Sequence, residues 1–118
     1  MYSKIVLPIF GKTILLMRIE FQDDYLEQLY LDIAKGKPKF QEIVIKKYRK
    51  TIDLLVTIGS SQKFHDFKGL NFEALTRNRK GSYSVRIDYH YRLIFRLEND
   101  ILELEEIILI DELSNHYQ

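Results

Sequence analysis

The chain has 118 residues, of which 46% are hydrophobic and 30% charged, as is typical of one compact globular domain and not of a disordered segment. It contains no cysteine, which excludes disulfides, thiol chemistry and cysteine-based metal sites. The net charge of +1 is unevenly distributed: residues 1–96 hold 18 Lys and Arg with 10 Asp and Glu (+8), whereas residues 97–118 hold 7 acids (−7). Such a basic body can attract a polyanion, and the acidic stretch can moderate that attraction.

The first 16 residues are apolar but contain two lysines and Pro8, and no small-residue cleavage site follows them. This pattern does not fit a signal peptide, and the segment is too short and too charged for a membrane span. We interpret residues 1–16 as an extension upstream of a native start at Met17, and residues 17–118 as one domain. Three scattered histidines show no metal-ligand spacing, so we expect an intracellular protein without a metal or other cofactor.

Residues 17–21 (MRIEF) predict a first strand, and a first helix is predicted to follow it. Asp24 and Glu27 have the spacing of a capping box at the start of this helix. Lys35, Gly36 and Pro38 are expected to end it. Three apolar residues at i, i+4 and i+8 form its predicted buried stripe: Tyr25, Leu29 and Ile33.

A second, longer helix is predicted from about residue 40 to residue 58, followed by a loop over residues 59–69. The inward positions of this helix are predicted to be Val44, Tyr48, Ile52 and Leu55.

From residue 82 the apolar residues recur with a period of two, which predicts two strands separated by a short loop. A turn is predicted at residues 98–100 and a third strand over residues 101–110, with a bulge or break near Glu105–Glu106. The predicted fold class is therefore α+β, with the order β-α-α-β-β-β. We expect a small antiparallel or mixed sheet with two helices packed on one face.

The alternation also predicts how the first two of these later strands pair. If their apolar residues share one face, Val85 lies opposite Leu93 and residues 88–90 form the connecting loop. Arg86 then lies opposite Arg92 on the other face. Like charges directly opposed are destabilising, so this pair indicates either a solvated face or one that binds phosphate.

Further basic residues precede these strands. Residues 63–96 contain 8 bases against 3 acids, a local charge of +5. The cluster is either a solubilising loop or a footprint for a polyanion such as RNA. The candidate RNA- or ribosome-binding residues are Arg77, Arg79, Lys80 and Arg86.

One carboxylate, Glu73, stands within this basic region. It is either a salt-bridge partner or a general base that the surrounding cations keep ionised. Metal-free cleavage of RNA through its 2′-hydroxyl needs a base, a cation near the phosphate and an acid. Glu73, Arg92 and His116 are candidates for these three roles, and Tyr117 can stack on a base or position the phosphate.

The run FEALTRNRKGSYSVRIDYHYRLIFRLEND, with HY near the C-terminus, resembles the RelE superfamily of bacterial toxins, and most closely its YoeB/Txe and HigB branches. The resemblance covers residues 69–118. The matching stretches are residues 73–76, 77–80, 81–84, 86–87, 91–95 and 116–117.

The resemblance implies a cytoplasmic toxin of a bacterial type II toxin–antitoxin system, which cuts translated mRNA in the ribosomal A site. It assigns catalysis to Glu73, Arg92, His116 and Tyr117. It also implies three partners: the ribosome, mRNA and a cognate antitoxin. Two alternatives remain open, namely a ParE-like inhibitor of DNA gyrase without nuclease activity and a catalytically degenerate relative that binds an antitoxin.

Overall fold

A computed structural model describes residues 2–3 and 16–115, which form one mixed sheet and two α-helices. The strands are β1 Tyr2–Ser3, β2 Leu16–Phe21, β3 Glu73–Ala74, β4 Tyr83–Arg86, β5 Arg92–Asp100 and β6 Glu105–Ser114. The helices are α1 Asp24–Leu31 and α2 Glu42–Ile58. Short 3₁₀ segments, at Ser61–Asp66, Lys68–Leu70 and Arg77–Arg79, lie between α2 and β4. The α+β class and the two helices are as predicted.

The described strands lie in the order β1-β2-β6-β5-β4-β3. β2 runs parallel to β6, and every other neighbouring pair is antiparallel. Two short strands were not predicted. One of them, β1, pairs with β2 at Glu20 and Ile19, so part of the predicted extension lies at an edge of the sheet. The domain boundary at Met17 stays a prediction.

Helix α1 begins and ends differently from the prediction. Its N-cap is Asp23, whose side chain accepts a hydrogen bond from the Leu26 N–H at 3.0 Å, so the predicted capping box at Asp24 and Glu27 is wrong. The helix ends at Leu31 because Asp32 adopts a left-handed conformation with φ of 61°. Ile33 therefore lies outside the helix and is exposed.

Helix α2 presents its predicted face to the sheet. All four predicted inward residues are buried in one core cluster, together with alternate residues of β2, β4, β5 and β6. Gly59 ends the helix with φ of 80°, a conformation that glycine adopts without a Cβ clash. Both helices thus cover one face of the sheet and leave the side chains of the other face for the site.

Tyr48 links the two helices, and its replacement by phenylalanine tests this packing. Its side chain is fully buried, and its hydroxyl donates to the Leu26 carbonyl at 2.7 Å. Tyr48→Phe leaves that carbonyl without this donor, so we expect a loss of about 1–3 kcal/mol in the free energy of unfolding, measured by urea denaturation.

The pH dependence of that variant provides a second check. Burial raises the pKa of Tyr48 well above its ordinary value. The stability that comes from this hydroxyl is thus fully present below the unfolded pKa of about 10 and is lost as the pH rises above it. Tyr48→Phe should therefore lose less stability than the wild type above pH ~10. An equal alkaline loss in both proteins would contradict the assignment.

The β4–β5 hairpin has the predicted register. Val85 lies opposite Leu93 and Arg86 opposite Arg92. The three-residue connection is also as predicted, because the Ile87 N–H donates to the Tyr91 carbonyl at 2.9 Å.

The β5–β6 hairpin is longer than predicted. β5 continues to Asp100, and residues 101–104 make the turn that was predicted at 98–100. The third strand was predicted over residues 101–110 with a bulge or break near Glu105–Glu106, but β6 spans Glu105–Ser114. The register shift lies instead between Ile94 and Phe95 of β5. Both acids remain in regular pairing because each has a partner on its own side of the sheet. Arg18 donates to Glu105 at 2.9 Å, and the Ser61 N–H donates to Glu106 at 2.9 Å.

Candidate active site

Glu73 and Arg92 meet at the end of the sheet where β3, β4 and β5 lie side by side. Glu73 pairs with Ser84 of β4, and Arg92 is the first residue of β5. The Arg92 Nη2 lies 3.6 Å from the Glu73 Oε1. The two residues are 19 positions apart in the chain, and the hairpin register brings them together.

Among the described residues, Ser84 and Asn71 hold the Arg92 guanidinium by hydrogen bonds. Its Nε donates to the Ser84 Oγ at 2.9 Å, and its Nη2 donates to the Asn71 carbonyl at 2.6 Å. The Arg92 side chain is only 8% exposed, whereas that of Glu73 is 54% exposed. The cation is thus fixed within the protein, while the carboxylate beside it faces solvent. Such an arrangement leaves a carboxylate accessible to a substrate beside a cation of fixed position.

The C-terminal strand returns to this pair. Ser114, the last residue of β6, lies opposite Arg92 in the sheet. The predicted residues His116 and Tyr117 lie outside the described residues, so their roles stay predictions. The described chain ends at Asn115, one residue beyond the strand that reaches Arg92.

The predicted RNA-binding residues differ in their surroundings. Arg77, Lys80 and Arg86 are exposed. Arg79 instead donates to the Glu112 Oε1 at 2.9 Å, and both side chains of this ion pair are about one-third or more exposed, at 34% and 40%. Three of the four predicted cations therefore face solvent, and the fourth is neutralised by an acid of β6.

This pairing extends along β6. Arg96 donates from both Nε and Nη2 to the Asp111 carboxylate at 2.8 Å, and these hydrogen bonds raise the pKa of Arg96. Together with the Arg18–Glu105 and Arg79–Glu112 pairs, this ion pair places three acids of β6 against bases of the rest of the sheet. Acids of the C-terminal stretch thus neutralise three of the bases in residues 1–96 through ion pairs inside the same chain.

Sequence reasoning missed three residues of the site: Asn71, Ser84 and Glu112. Ser84 alternates with Arg86 along β4, so its position on the face of Arg92 followed from the predicted register. Asn71 acts through its backbone carbonyl, a group that every residue has, so the sequence carries no signal for it. The contact of Glu112 with Arg79 spans 33 residues and has no local pattern.

Within residues 16–115, no group of three or more His, Asp or Glu side chains is arranged to hold a metal ion. No helix in the described part of the chain is long and apolar enough to cross a bilayer.

Comparison with known protein families gives a match over residues 19–106 to the RelE-like toxin HigB of type II toxin–antitoxin systems. This range includes Glu73, Arg92 and the predicted RNA-binding residues. The chain is also 34% identical over 80 residues to toxin HigB-1 of Vibrio cholerae serotype O1, which covers 68% of this chain and 83% of that toxin.

Two solved structures have the same fold. One is YafQ from Escherichia coli BL21(DE3), with a TM-score of 0.54 and 13% identity over 85% of this chain and 93% of that one. The other is a YoeB/ParE toxin from Agrobacterium tumefaciens, with a TM-score of 0.50 and 15% identity over 89% and 100% of the two chains. At these identities the likeness concerns the fold alone. The family match and the V. cholerae relative, by contrast, show that the chain belongs to the HigB-like family, the RelE-like toxins of type II toxin–antitoxin systems.

Proposed function

We propose that this toxin is a ribosome-dependent endoribonuclease that cleaves translated mRNA in the A site. The observation that carries the proposal is the solvent-facing carboxylate of Glu73, 3.6 Å from the anchored guanidinium of Arg92. An inhibitor that acts by binding alone has no need for such a pair. A nuclease that uses the 2′-hydroxyl needs a base and a nearby cation.

In the proposed reaction Glu73 removes the proton of the ribose 2′-hydroxyl. The 2′-oxygen then attacks the adjacent phosphorus, the bond from phosphorus to the 5′-oxygen breaks, and His116 gives a proton to that oxygen. The products are a 2′,3′-cyclic phosphate and a 5′-hydroxyl. Arg92 stabilises the negative charge that develops on the phosphoryl oxygens. Tyr117 positions the nucleotide by stacking. In this scheme side chains carry both protons and no metal takes part.

The exposed cations around Glu73 supply the binding surface for ribosomal RNA and mRNA. Arg77 and Lys80 lie in the turn between β3 and β4, and Arg86 lies at the end of β4. Contacts from these residues to phosphates release counterions, so affinity for ribosomes falls with salt. We also propose that a cognate antitoxin, the second component of such a system, neutralises the toxin by covering this basic surface or by displacing the C-terminal tail. We place the toxin, its antitoxin and the ribosome in the bacterial cytoplasm.

Replacement of Glu112 tests whether the Arg79 ion pair competes with RNA. In Glu112→Gln the carboxylate that holds Arg79 is removed, and the guanidinium gains a phosphate partner. We expect ribosome affinity to rise several-fold and the slope of log K against log salt to steepen by about one unit, as for one added phosphate contact. Filter binding at several salt concentrations measures both quantities.

Glu103→Gln is the matched control, because it removes the same charge from the exposed turn at residues 101–104. If both variants change affinity equally, net charge and not the Arg79 pair is responsible.

Replacement of His116 tests the proposed acid. His116→Ala should lower the single-turnover cleavage rate by roughly 10²–10⁴-fold while ribosome affinity stays within about twofold. Asn115→Ala, one position away, serves as the control and should cut at the wild-type rate. A wild-type rate for His116→Ala would remove this residue from the mechanism.

The function is tested by two assays run side by side on the purified, folded toxin. In a cell-free translation reaction we expect the reporter mRNA to be truncated, and an inhibitor of initiation to protect it. In a DNA gyrase supercoiling assay we expect no inhibition. Loss of supercoiling with intact mRNA would instead identify a ParE-like inhibitor, and no effect in either assay would identify an inactive relative.

A further inference from the structure

The β5–β6 hairpin ends in an exposed aliphatic cluster, at the opposite end of β5 from Arg92. We call residues 98–106, which form this end of the hairpin, the acidic tip. Three large aliphatic side chains of its turn face solvent: Ile101 is 81% exposed, Leu102 94% and Leu104 44%. Apolar side chains that cluster on a surface mark a place where another molecule binds.

The turn of the acidic tip has a defined backbone. The Leu104 N–H donates to the Ile101 carbonyl at 3.3 Å, and the Glu103 N–H donates to the Asp100 Oδ1 at 3.2 Å. Leu104 has φ of 53°, in the left-handed region that leucine rarely adopts. The turn thus holds its aliphatic side chains outside the core, although its backbone is hydrogen-bonded.

The charge of the acidic tip determines which partners it can bind. Residues 98–106 contain five acids and no base, a local charge of −5. Glu105 forms an ion pair with Arg18. In the described part of the chain, no Lys or Arg forms an ion pair with Asp100, Glu103 or Glu106. The tip therefore repels nucleic acid phosphates and attracts a surface that is both basic and aliphatic.

A groove of about 460 Å³ runs along the acidic tip. Its walls are residues 60–62 on one side and residues 99–101 and 104–106 on the other. The groove has the volume of a ligand pocket, so it can receive aliphatic side chains of a partner. Because residues 60–62 follow α2 directly, the groove also places the tip beside the end of that helix.

Helix α2 carries a surface with the complementary chemistry. Five of its exposed residues have the spacing i, i+3, i+4, i+7 and i+11, which places them on one face. These residues, which we call the lysine stripe, are Ile43, Lys46, Lys47, Lys50 and Leu54. Lys46 has an exposed ion pair with Glu42, whereas Lys47 and Lys50 form none within the described residues. The stripe is thus basic, with an aliphatic side chain at each end.

The two surfaces fit each other better than either fits itself. Two acidic tips in contact would oppose acids to acids, whereas a tip on a lysine stripe pairs opposite charges and covers aliphatic side chains of both. The net charge of the whole chain is only +1, so two copies repel each other little. Since the tip lies beside the end of α2, one two-fold axis can bring each tip onto the stripe of the other copy.

We propose that two copies of this chain form a reciprocal dimer in which the acidic tip of each binds the lysine stripe of the other. An aliphatic side chain of the stripe enters the groove beside the tip. The dimer does not depend on the proposed nuclease function, because neither surface contains Glu73 or Arg92.

The test is sedimentation equilibrium of the full chain over about a hundredfold range of concentration. We expect a monomer–dimer equilibrium whose dissociation constant rises with salt, which screens the ion pairs. Glu103→Lys or Lys47→Glu alone places like charges at both contacts and should weaken the dimer at least about tenfold. An equal mixture of the two variants has opposite charges at both contacts and should recover the dimer. Misfolded variants would not recover it.

Two further variants separate the interface from general effects of charge. Lys68→Glu makes the same charge change at an exposed position outside the stripe and should dimerise as the wild type does. Leu102→Ser removes an aliphatic side chain that makes little contact with the core, and should weaken the dimer at least about fivefold.

Four results would overturn the inference. A monomer at every concentration would show that the surfaces do not bind each other, and species larger than a dimer would show an open chain in place of a closed pair. The other two are failure of the mixed variants to recover the dimer, and an equal weakening by Lys68→Glu.

Discussion

Glu73→Gln is expected to abolish mRNA cleavage on ribosomes, a loss of at least about 10²–10⁴-fold in the single-turnover rate. Glutamine has nearly the same shape as glutamate but cannot take the 2′-hydroxyl proton. The ion pair with Arg92 is long, at 3.6 Å, and Glu73 is half exposed, so its loss should change the free energy of unfolding by less than ~1 kcal/mol. Rapid quenching of programmed ribosomes measures the rate, and urea denaturation measures the stability.

The control for this prediction is Glu98→Gln, which removes the same charge from an exposed position of β5. It should leave the cleavage rate unchanged. Both variants should bind ribosomes with affinities close to that of the wild type, since neither loses a cation. The base assignment fails if Glu73→Gln keeps more than about a tenth of the wild-type rate.

Replacement of Arg92 should have the second large effect. Arg92→Lys keeps the positive charge, but an ammonium group cannot donate to Ser84 and Asn71 with the fixed fork of a guanidinium. The cation is then misplaced relative to the phosphate, and we expect the rate at saturating ribosomes to fall about 10²–10³-fold. Arg92→Ala would additionally leave the Ser84 hydroxyl and the Asn71 carbonyl without this donor, so it should also destabilise the fold by about 1–3 kcal/mol.

Arg86 provides a matched comparison because it lies directly opposite Arg92 in the β4–β5 register and is exposed. Arg86→Lys should keep the full rate at saturation, and Arg86→Ala should weaken ribosome binding without slowing the cut. A titration of ribosomes against the cleavage rate separates the two effects. Equal losses of saturated rate in Arg86→Lys and Arg92→Lys would contradict a special role for Arg92.

The β4–β5 hairpin was predictable because its information is local and periodic. Apolar residues alternate with polar ones, so placing Val85 and Leu93 on one face leaves a single register. That register also placed Arg86 opposite Arg92. The same reasoning predicted the buried face of α2, where the apolar residues from Val44 to Leu55 recur with the helical period over about three turns.

The β5–β6 hairpin is less predictable because charged residues in a strand normally indicate exposure or a change in the alternation of buried and exposed positions. Glu105 is buried, and its partner Arg18 is 87 residues away in the chain. Glu106 accepts from Ser61, 45 residues away. Local patterns hold no information on such partners, so the turn and the bulge were both placed wrongly. At the start of α1 the reason is different: Asp23 and Asp24 are neighbours, and either can cap a helix.

In the candidate site, the sequence was sufficient to single out Glu73 and Arg92 but not to show how Arg92 is held. Its anchors within the described part of the chain include a serine on the same face and the backbone carbonyl of a residue with positive φ. The pairing of Arg79 with Glu112 is also unpredictable from local sequence, because the two residues lie 33 positions apart. Strand β6 brings the two residues together. The predicted RNA-binding residue Arg79 is therefore paired with a carboxylate of the same chain, with which an RNA phosphate would compete.

Primer extension on a defined mRNA, incubated with this toxin in the presence and absence of translating ribosomes, shows whether the toxin cuts mRNA in the A site and whether Glu73 is needed. We expect new 3′ ends within A-site codons only when ribosomes are translating, and none with Glu73→Gln. Intact mRNA under both conditions, from protein shown to be folded, would contradict this mechanism. So would cleavage that Glu73→Gln performs as fast as the wild type.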